Sequence, residues 1–297
     1  MSDAGVGTRL EFPEDDALRA VEAALDEDLA GGPDETTETI FASGREVAAS
    51  VVAREACVVA GVRLARIVIE AVARRVGHRA VVSRMIDDGI EAAAGAALLE
   101  IRGEARNVLV AERTVLNFLA RTAGIATLTR DAVREVAGIG CRIADTRKTT
   151  PGLRAIEKYA VACGGGENHR MGLSGSIFVK DNHKDLAGGL GEALRRLARA
   201  GVDPSRCEVE IDSLDELNAP LEFGAGWILL DNMSLRDVRT AVGRVAGRAK
   251  IEVSGGLRPG RLREIAEAGV DRISLGVLTH GARAMDLALE IEGGSPR

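Results

Sequence analysis

The sequence predicts an α/β protein whose main sheet is parallel and is closed or covered by helices. Six short segments in its second half have the apolar composition of strands, at residues 141–147, 176–181, 207–212, 227–232, 250–256 and 271–277. Helical segments lie between several of them, at residues 185–200, 235–245 and 261–268. Because strands that alternate with helices build parallel sheets, we expect about six parallel strands in this part of the chain.

The first half of the chain has a different pattern. Apolar residues recur at helical spacing over residues 14–30 and stop at a Gly-Gly-Pro sequence. Short β-prone runs occupy residues 46–103, with one helical stretch at 63–75, and a long helix is predicted over 110–136. We therefore expect a small α+β domain ahead of the parallel sheet.

Composition and charge exclude several classes of function. Hydrophobic residues make up 46% of the 297 residues, enough for a sizeable core, and the formal charge of −6 offers no attraction to nucleic acid or anionic lipid. One Trp and one Tyr leave little for base stacking. There is no apolar run of about 18 residues, and the first twelve residues have neither a basic segment nor an apolar core. We expect a cytoplasmic protein that binds neither nucleic acid nor membrane.

The cysteines and histidines do not form metal-binding patterns. The four cysteines, Cys57, Cys141, Cys163 and Cys207, are widely separated in sequence. The sequence has no Cys-x-x-Cys pair, His-Glu-x-x-His run or tight histidine pair, so we predict buried core cysteines and no structural transition-metal site. His183 and His280 stand near strand ends, and we predict supporting or structural roles for them.

Charged, hydroxyl and glycine residues end most of the six strand segments. They are Arg147, Lys148, Lys180, Asp181, Glu210, Asp212, Asp231, Asn232, Ser254, Gly255, Gly256 and Gly276. The loop over residues 164–175 adds His169 and Arg170. Ligands of parallel α/β proteins bind at the carboxyl ends of the strands. Since guanidinium and ammonium groups suit carboxylates and phosphates, we predict a polyanion site there.

Each of these side chains also has an ordinary interpretation. Arg147 and Lys148 fit a solvated strand end equally well, and Lys180 is compatible with a surface cation or a Schiff-base lysine. Glu210 and Asp231 suit ribose hydroxyls, Mg²⁺, a cationic transition state or salt bridges to neighbouring lysines. The residue types alone leave these alternatives open.

Two glycine turns follow the last two strand segments. One is Ser254-Gly255-Gly256 and the other contains Gly276. Barrels often bind phosphate at this place through backbone N–H groups, and glycine permits the close approach. The turns therefore favour a phosphorylated ligand.

A long run of the sequence resembles the quinolinate phosphoribosyltransferases. It is ADTRKTTPGLRAIEKYAVACGGGENHR at residues 144–170, followed by VKDNH at 179–183. ERTVLNFLARTAGIAT at 112–127, and then EVEID, ILLDN, VSGG and LGVLTH, resemble other motifs of the family in order. The resemblance covers nearly the whole chain.

The resemblance implies an architecture and an assembly. It implies an N-terminal α/β sandwich domain, residues 1–112 with the segment 281–297 packed on it, and an incomplete α/β barrel of about six strands over residues 113–280. It also implies a homodimer with shared active sites, with a hexamer as a further assembly. The implied reaction joins quinolinate to phosphoribosyl pyrophosphate with decarboxylation, giving nicotinate mononucleotide, pyrophosphate and CO₂ in de novo NAD biosynthesis.

The resemblance also assigns roles to residues. The carboxylates of quinolinate are expected to bind Arg147, His169, Arg170 and Lys180, with Arg113 from the dimer partner. Phosphoribosyl pyrophosphate and Mg²⁺ are expected beside Lys148, Glu210, Asp231, Ser254, Gly255, Gly256 and Gly276, with His280 near the phosphate loop. Of these, Lys148, Glu210 and Asp231 are the expected catalytic residues, and Glu210 and Asp231 the expected metal ligands.

Three departures from the family pattern keep competing hypotheses in view. Leu173-Ser174-Gly175-Ser176 lacks the usual aspartate, Ala123-Gly124-Ile125 replaces a serine-glycine-isoleucine, and Gly281 replaces a frequent hydroxyl residue. The competitors are the molybdenum-locus relative of this fold, a nicotinate phosphoribosyltransferase, a paralogue acting on a modified pyridine dicarboxylate, and a non-catalytic binding protein. The intact VKDNH motif and the dense set of cations favour the quinolinate enzyme.

Overall fold

The computed structural model describes residues 11–292, so most of the N-terminal segment considered above lies outside it. Its helices are α1 (Glu14–Leu29), α2 (Glu35–Ile40), α3 (Val62–Val76), α4 (Ala105–Glu135), α5 (Arg154–Cys163), α6 (Asp181–Ala187), α7 (Leu190–Arg199), α8 (Asn218–Phe223), α9 (Leu235–Val245), α10 (Leu262–Ala266) and α11 (Val277–His280). Its strands are β1 (Glu46–Ala53), β2 (Cys57–Val58), β3 (Ala80–Met85), β4 (Glu91–Ala92), β5 (Ala97–Glu104), β6 (Arg142–Ala144), β7 (Ile177–Val179), β8 (Cys207–Ile211), β9 (Trp227–Asp231), β10 (Lys250–Ser254), β11 (Arg272–Ser274) and β12 (Leu287–Ile291).

The chain divides into two compact units. Within the described residues, the first takes 11–130, 149–165 and 279–292, and the second takes 131–148 and 166–278. The boundary predicted between residues 112 and 113 falls inside the continuous helix α4, whose Val115 and Leu119 belong to the same apolar core as Val108. The predicted domain limits, 1–112 and 113–280, stay a prediction.

The first unit contains a four-stranded antiparallel sheet in the order β12-β1-β5-β3. Helix α3 has a strongly amphipathic pattern, and it buries Leu64, Val68 and Ile69 in a core that also includes Val21 and Leu25 of α1. The C-terminal strand β12 pairs with β1 along its length, although the two are far apart in sequence. This unit supplies the sheet domain that the resemblance implied at the N-terminus.

The second unit is built on a six-stranded parallel sheet in the order β6-β11-β10-β9-β8-β7. Each of the six predicted segments contains one of these strands. Within the described residues no hydrogen-bonded pairing joins the edge strands β6 and β7, so the barrel is not closed by hydrogen bonds. The predicted fold class, an incomplete α/β barrel of about six strands with an N-terminal α/β domain, is confirmed.

One predicted helix differs from the structure. The segment predicted as a single helix over 185–200 forms two helices, α6 and α7, with Gly188 and Gly189 between them. Both glycines have positive φ, +91° and +112°, which a helix does not accommodate. The break lets α6 begin directly after Lys180.

The parallel sheet has two chemically different faces. Paired residues of parallel strands point to the same side, and successive residues point to opposite sides. One side is apolar and buried, with Val179, Val209, Ile228, Val253 and Ile273 among its residues. The other side, here called the polar face, carries Phe178, Glu208, Glu210, Trp227, Leu229, Asp231, Glu252, Ser254, Arg272 and Ser274. The candidate site lies at the carboxyl end of this polar face.

No helix in the described range 11–292 has the length and apolarity needed to cross a membrane.

Candidate active site

Most of the predicted site residues belong to the second unit. Arg147, Lys148, His169, Arg170, Lys180, Glu210, Asp231, Ser254, Gly255, Gly256 and Gly276 end its strands or lie in the segments that follow them. The other two, Arg113 within α4 and His280 at the end of α11, lie in the first unit. The structure therefore brings together the cations, the carboxylates and the glycine turns that the sequence placed at strand ends of the sheet.

The cationic part of the site is crowded with positive charge. The Nε of Arg147 is buried and has no hydrogen-bond partner among the described residues. Burial and the charge of Arg147 lower the pKa of the Arg170 guanidinium. A buried N–H without a partner costs free energy, and so does the repulsion between neighbouring guanidinium groups. An anion bound here would relieve both costs.

His169 is held from its backbone and from both ring nitrogens. Its backbone N–H donates to Oδ1 of the fully buried Asp145 at 2.9 Å. Its Nδ1 accepts from the backbone N–H of Arg170 at 2.8 Å, and its Nε2 lies 3.1 Å from Oε2 of Glu208. The ring therefore has a fixed orientation, and protein groups already engage both nitrogens.

On the polar face, His169 belongs to a buried group of charged side chains. The sequence analysis did not select the other members of this group. This inner cluster consists of His169, Glu208, Glu252 and Arg272. Arg272 forms a very short ion pair with Glu252, lies 3.4 Å from Glu208, and stacks its guanidinium 3.9 Å from the Trp227 ring centroid. His169, Glu208 and Glu252 have the spacing of a metal site, but Arg272 already supplies positive charge to both carboxylates.

The two inner carboxyls respond to these neighbours in opposite directions. For Glu208, burial raises the pKa, but the hydrogen bond with His169 and the charge of Arg272 help to outweigh it, and the pKa is lowered. For Glu252, burial and the charge of Glu208 raise the pKa to about 7 despite Arg272. Below about pH 7 the cluster thus holds one ionised carboxyl, Glu208, and one mainly protonated carboxyl, Glu252.

A second set of carboxyls lies nearer the carboxyl ends of the strands than the inner cluster does. These outer carboxylates are Asp181, Glu210 and Asp231, which follow or end β7, β8 and β9. Burial raises the pKa of Glu210 to about 7, and the hydrogen bond with Asp181 and the charge of Asp231 add to the effect. The same hydrogen bond lowers the pKa of Asp181. Lys180 Nζ, 3.7 Å from Glu210, only partly offsets this crowding of negative charge.

The outer carboxylates have the ligand chemistry of a divalent-cation site, although among the described residues the spacing of a three-residue metal site is found only for His169, Glu208 and Glu252. They present oxygen ligands only, which is the ligand type that Mg²⁺ prefers. Burial is the main cause of the raised pKa of Glu210, and the negative charges of Asp181 and Asp231, which Lys180 only partly offsets, add to it. A bound Mg²⁺ would replace the shared proton and remove the repulsion.

Lys180 is positioned by the first turn of α6. It is the N-cap residue of that helix, and its backbone N–H donates to Nδ1 of His183 at 3.0 Å. This contact is consistent with the supporting role predicted for His183. Lys180 Nζ also lies 4.4 Å from the ring centroid of Phe178, a residue that the sequence analysis did not select.

The Ser254-Gly255-Gly256 turn requires glycine at its centre. Gly255 has φ +99°, and a Cβ there would lie 2.4 Å from Oδ1 of Asn232. Asn232 itself has a positive φ of 54°, and its backbone N–H donates to the Ser254 carbonyl at 3.0 Å. A cavity of about 400 Å³ opens beside this turn and is lined also by Arg258. The close backbone approach leaves room for an anion at the turn.

These features define a class: a parallel α/β protein with cations, carboxylates and a glycine turn gathered at the carboxyl ends of its strands. Family models described as quinolinate phosphoribosyl transferase match most of the chain, the N-terminal domain over residues 34–123 and the C-terminal domain over residues 125–290. The chain belongs to the quinolinate phosphoribosyl transferase family, which confirms the resemblance found in the sequence.

Similar proteins agree with this assignment. A nicotinate-nucleotide pyrophosphorylase [carboxylating] of Mycobacterium leprae is 42% identical over 280 residues, which cover 93% of this chain and 98% of that protein. The solved nicotinate-nucleotide pyrophosphorylase of Francisella tularensis has a TM-score of 0.87 and 35% identity, covering 96% of this chain and 99% of that one. Human nicotinic acid phosphoribosyltransferase, with a TM-score of 0.56 at 15% identity over 85% of this chain and 71% of that one, shares the fold.

Proposed function

We propose that this protein transfers the phosphoribosyl group of phosphoribosyl pyrophosphate to quinolinate, with loss of CO₂, in the cytoplasm as a step of NAD biosynthesis. The products are nicotinate mononucleotide, pyrophosphate and CO₂. Family membership supports the reaction, and one observation carries the choice of acceptor. The buried Arg147 Nε without a described partner, beside the crowded Arg170 guanidinium, suits an acceptor with two carboxylates.

In the acceptor half, the cations bind and orient quinolinate. Arg147, Arg170 and Lys180 contact its carboxylates, and His169 fixes the backbone of Arg170 through its Nδ1. The roles of Arg113, supplied by the second subunit of a homodimer, and of His280 at the phosphate are part of the same proposal. A hexamer built from such dimers is a further proposal on assembly.

In the donor half, Lys148, Glu210, Asp231 and the Ser254-Gly255-Gly256 turn hold phosphoribosyl pyrophosphate, with Gly276 at the phosphate end. Glu210 and Asp231 would hold Mg²⁺, which when bound supplies positive charge to the departing pyrophosphate. The carboxylates themselves stabilise the positive charge that develops at the anomeric carbon. Lys148 contributes a compact charge to the phosphates.

The bond changes follow from this placement. The pyridine nitrogen of quinolinate attacks the anomeric carbon, and the bond from that carbon to the pyrophosphate oxygen breaks with its electron pair leaving on pyrophosphate. The resulting pyridinium accepts the electron pair of the C2–carboxylate bond as CO₂ departs, and a proton then adds at C2. The protein contributes positioning and exclusion of water, since the pyridinium is its own electron sink.

The test is an assay of the purified protein with phosphoribosyl pyrophosphate, Mg²⁺ and either quinolinate or nicotinate. We expect nicotinate mononucleotide and CO₂ from quinolinate and no product from nicotinate. Arg147→Lys should raise the KM for quinolinate, because lysine keeps the charge and loses the paired donors. Arg142→Lys, in the strand β6 that precedes Arg147 but exposed and paired with Glu167, is the matched control and should leave the KM unchanged. Product from nicotinate, or from neither acceptor, would contradict the proposal.

A further inference from the structure

Phe178 lies at the centre of the acceptor half, although it carries no charge and belongs to the interior of β7. The ring of His169 stacks on it, with centroids 5.8 Å apart and an interplanar angle of 20°. The Arg170 guanidinium carbon lies 5.0 Å from the Phe178 ring centroid, and Lys180 Nζ lies 4.4 Å from it. Three groups assigned to quinolinate therefore contact one aromatic ring.

An aromatic ring has a property here that a carboxylate lacks. The negative face of a ring attracts cations, but it does not neutralise them. A carboxylate placed between Arg170 and Lys180 would compete with an anionic substrate for the same charges. Phe178 can hold both cations in place and leave their charge available to the carboxylates of a ligand.

The surrounding contacts fix the ring on its other sides. Phe178 pairs in register with Glu208 of the inner cluster, so both side chains point to the polar face. Glu208 and the Arg170 backbone engage the two nitrogens of His169, which keeps the stacked imidazole from rotating. The side chains of His169, Arg170 and Lys180 thus all contact Phe178, so their positions depend on one another.

We propose that Phe178 is a positioning residue of the acceptor site: it holds Arg170 and Lys180 by cation–π contact and keeps their spacing matched to two adjacent carboxylates. This inference rests on the proposed function, because it takes quinolinate as the ligand of these cations. Phe178 is linked to the donor half indirectly, through Lys180, whose Nζ lies 3.7 Å from Glu210. The effect of changing Phe178 is therefore expected mainly on the acceptor.

The first experiment compares Phe178→Leu, Phe178→Trp and wild type by calorimetric binding of quinolinate and by steady-state kinetics. We expect Phe178→Leu, which keeps an apolar side chain, to weaken quinolinate binding by about 3- to 10-fold. The KM for phosphoribosyl pyrophosphate should stay within about twofold of wild type in the same variant, since the ring contacts only the acceptor cations. Phe178→Trp, which keeps a ring face, should restore most of the affinity.

Phe223→Leu, the same change in α8 of the second unit, is the control for a general effect on folding and should leave quinolinate binding unchanged. Equal binding by wild type and Phe178→Leu, or equal loss for both substrates with no recovery in Phe178→Trp, would overturn this inference alone. Failure of the wild-type protein to bind or convert quinolinate would overturn the proposed function and this inference with it.

A double-mutant cycle separates cation positioning from stacking of the ring on the pyridine of quinolinate. If Phe178 acts through the cations, Phe178→Leu should have a smaller effect on the quinolinate dissociation constant in a Lys180→Met background than in wild type. If the Phe178→Leu effect is independent both of Lys180→Met and, in a second cycle, of Arg170→Met, the ring does not act through the cations and the positioning role is wrong. Binding is measured without turnover, so a loss of activity in Lys180→Met does not obscure the result.

Discussion

Glu208 and Glu210 are two residues apart on β8 and point to the same face of the sheet, yet their surroundings differ. Glu208 lies in the inner cluster, where His169 and Arg272 lower its pKa. Glu210 lies among the outer carboxylates, where burial, Asp181 and Asp231 raise its pKa to about 7. Both side chains are mostly buried, so exposure does not explain the difference.

The difference lies in where the compensating charge comes from. The inner cluster contains its own guanidinium, that of Arg272, between two carboxylates. Among the outer carboxylates, Glu210 forms an ion pair with the partly exposed Lys180, at 3.7 Å. A closed ion group of this kind contributes to the folded structure, whereas an open one suits a ligand that brings positive charge. On one face of the sheet, this contrast separates the inner cluster, which contains its own guanidinium, from the outer carboxylates, to which the proposed function assigns the reaction.

The largest expected effect comes from removing the guanidinium group of the inner cluster. Arg272→Met leaves Glu208 and Glu252 buried without their guanidinium, and loss of one partner from a buried ion pair costs about 3–5 kcal/mol. Urea unfolding should show this drop in the free energy of unfolding, with Arg272→Lys intermediate in case the methionine variant does not fold. The control is Arg263→Met, which removes an exposed pair with Glu267 and should cost at most about 0.5 kcal/mol. A cost for Arg272→Met no larger than the control would contradict the structural role.

Changing one of the outer carboxylates should affect turnover instead of stability. Under the proposed function, Glu210→Gln removes a carboxylate from the anomeric carbon and from the expected Mg²⁺ site, and loss of one such electrostatic contact should lower kcat by about 10²–10³-fold. The variant should keep quinolinate affinity and thermal stability near wild type, because the inner cluster is untouched and Glu210 contacts the acceptor cations through a long, 3.7 Å ion pair with the partly exposed Lys180. Steady-state kinetics and calorimetry check the two halves separately. Retained turnover would remove Glu210 from the catalytic residues.

The pH dependence of stability should distinguish Glu252 from its neighbour Glu208. Its pKa in the folded protein, about 7, is above the ordinary value of 4.5, so between these pH values the folded state binds more protons than the unfolded state. Stability from this group is therefore fully present below about pH 4.5 and is lost as pH rises towards about 7. Glu252→Gln cannot ionise, so its stability relative to wild type should increase from pH 5 to pH 8.

Glu252 faces Glu208, His169 and Arg272, and all three titrate or carry charge in both proteins. The comparison of the urea midpoints of wild type and Glu252→Gln at the two pH values therefore isolates Glu252. Glu208 has the opposite effect, since its lowered pKa makes stability fall below about pH 4.5. A constant difference between wild type and Glu252→Gln across the range would show that Glu252 does not take up the proton.

The fold was largely predictable from the sequence, because strand and helix composition alternate clearly. All six parallel strands lie within predicted segments, and the polar residues at their ends marked the edge that carries the site. The helix predicted over 185–200 is divided at Gly188-Gly189, where two positive φ values end one helix before the next, and its first part begins earlier, at Asp181. The local amino-acid composition was therefore enough to predict most of these strands and helices.

The inner cluster and Phe178 were missed for a physical reason. Polar residues at strand ends do not reveal the charged residues inside strands. Charged and apolar residues do alternate with the period of a strand in Glu208-Val209-Glu210 and Ile251-Glu252-Val253. Such alternation predicts a polar face. It does not predict that Arg272 meets Glu252, because that contact depends on the register between β10 and β11.

The smallest expected effect concerns the glycine turn, where backbone geometry replaces charge. Gly255→Ala puts a Cβ 2.4 Å from Oδ1 of Asn232 at φ +99°, and we expect a loss of about 1–3 kcal/mol of stability together with weaker binding of phosphoribosyl pyrophosphate. Gly256→Ala is the matched control: at φ +59° its nearest neighbour lies 3.8 Å away, so it should cost about 1 kcal/mol. If both variants behave alike in urea unfolding, the close approach of Asn232 is not what selects glycine. If Gly255→Ala alone weakens the binding of phosphoribosyl pyrophosphate, binding of this donor substrate depends on the shape of the turn as well as on the outer carboxylates.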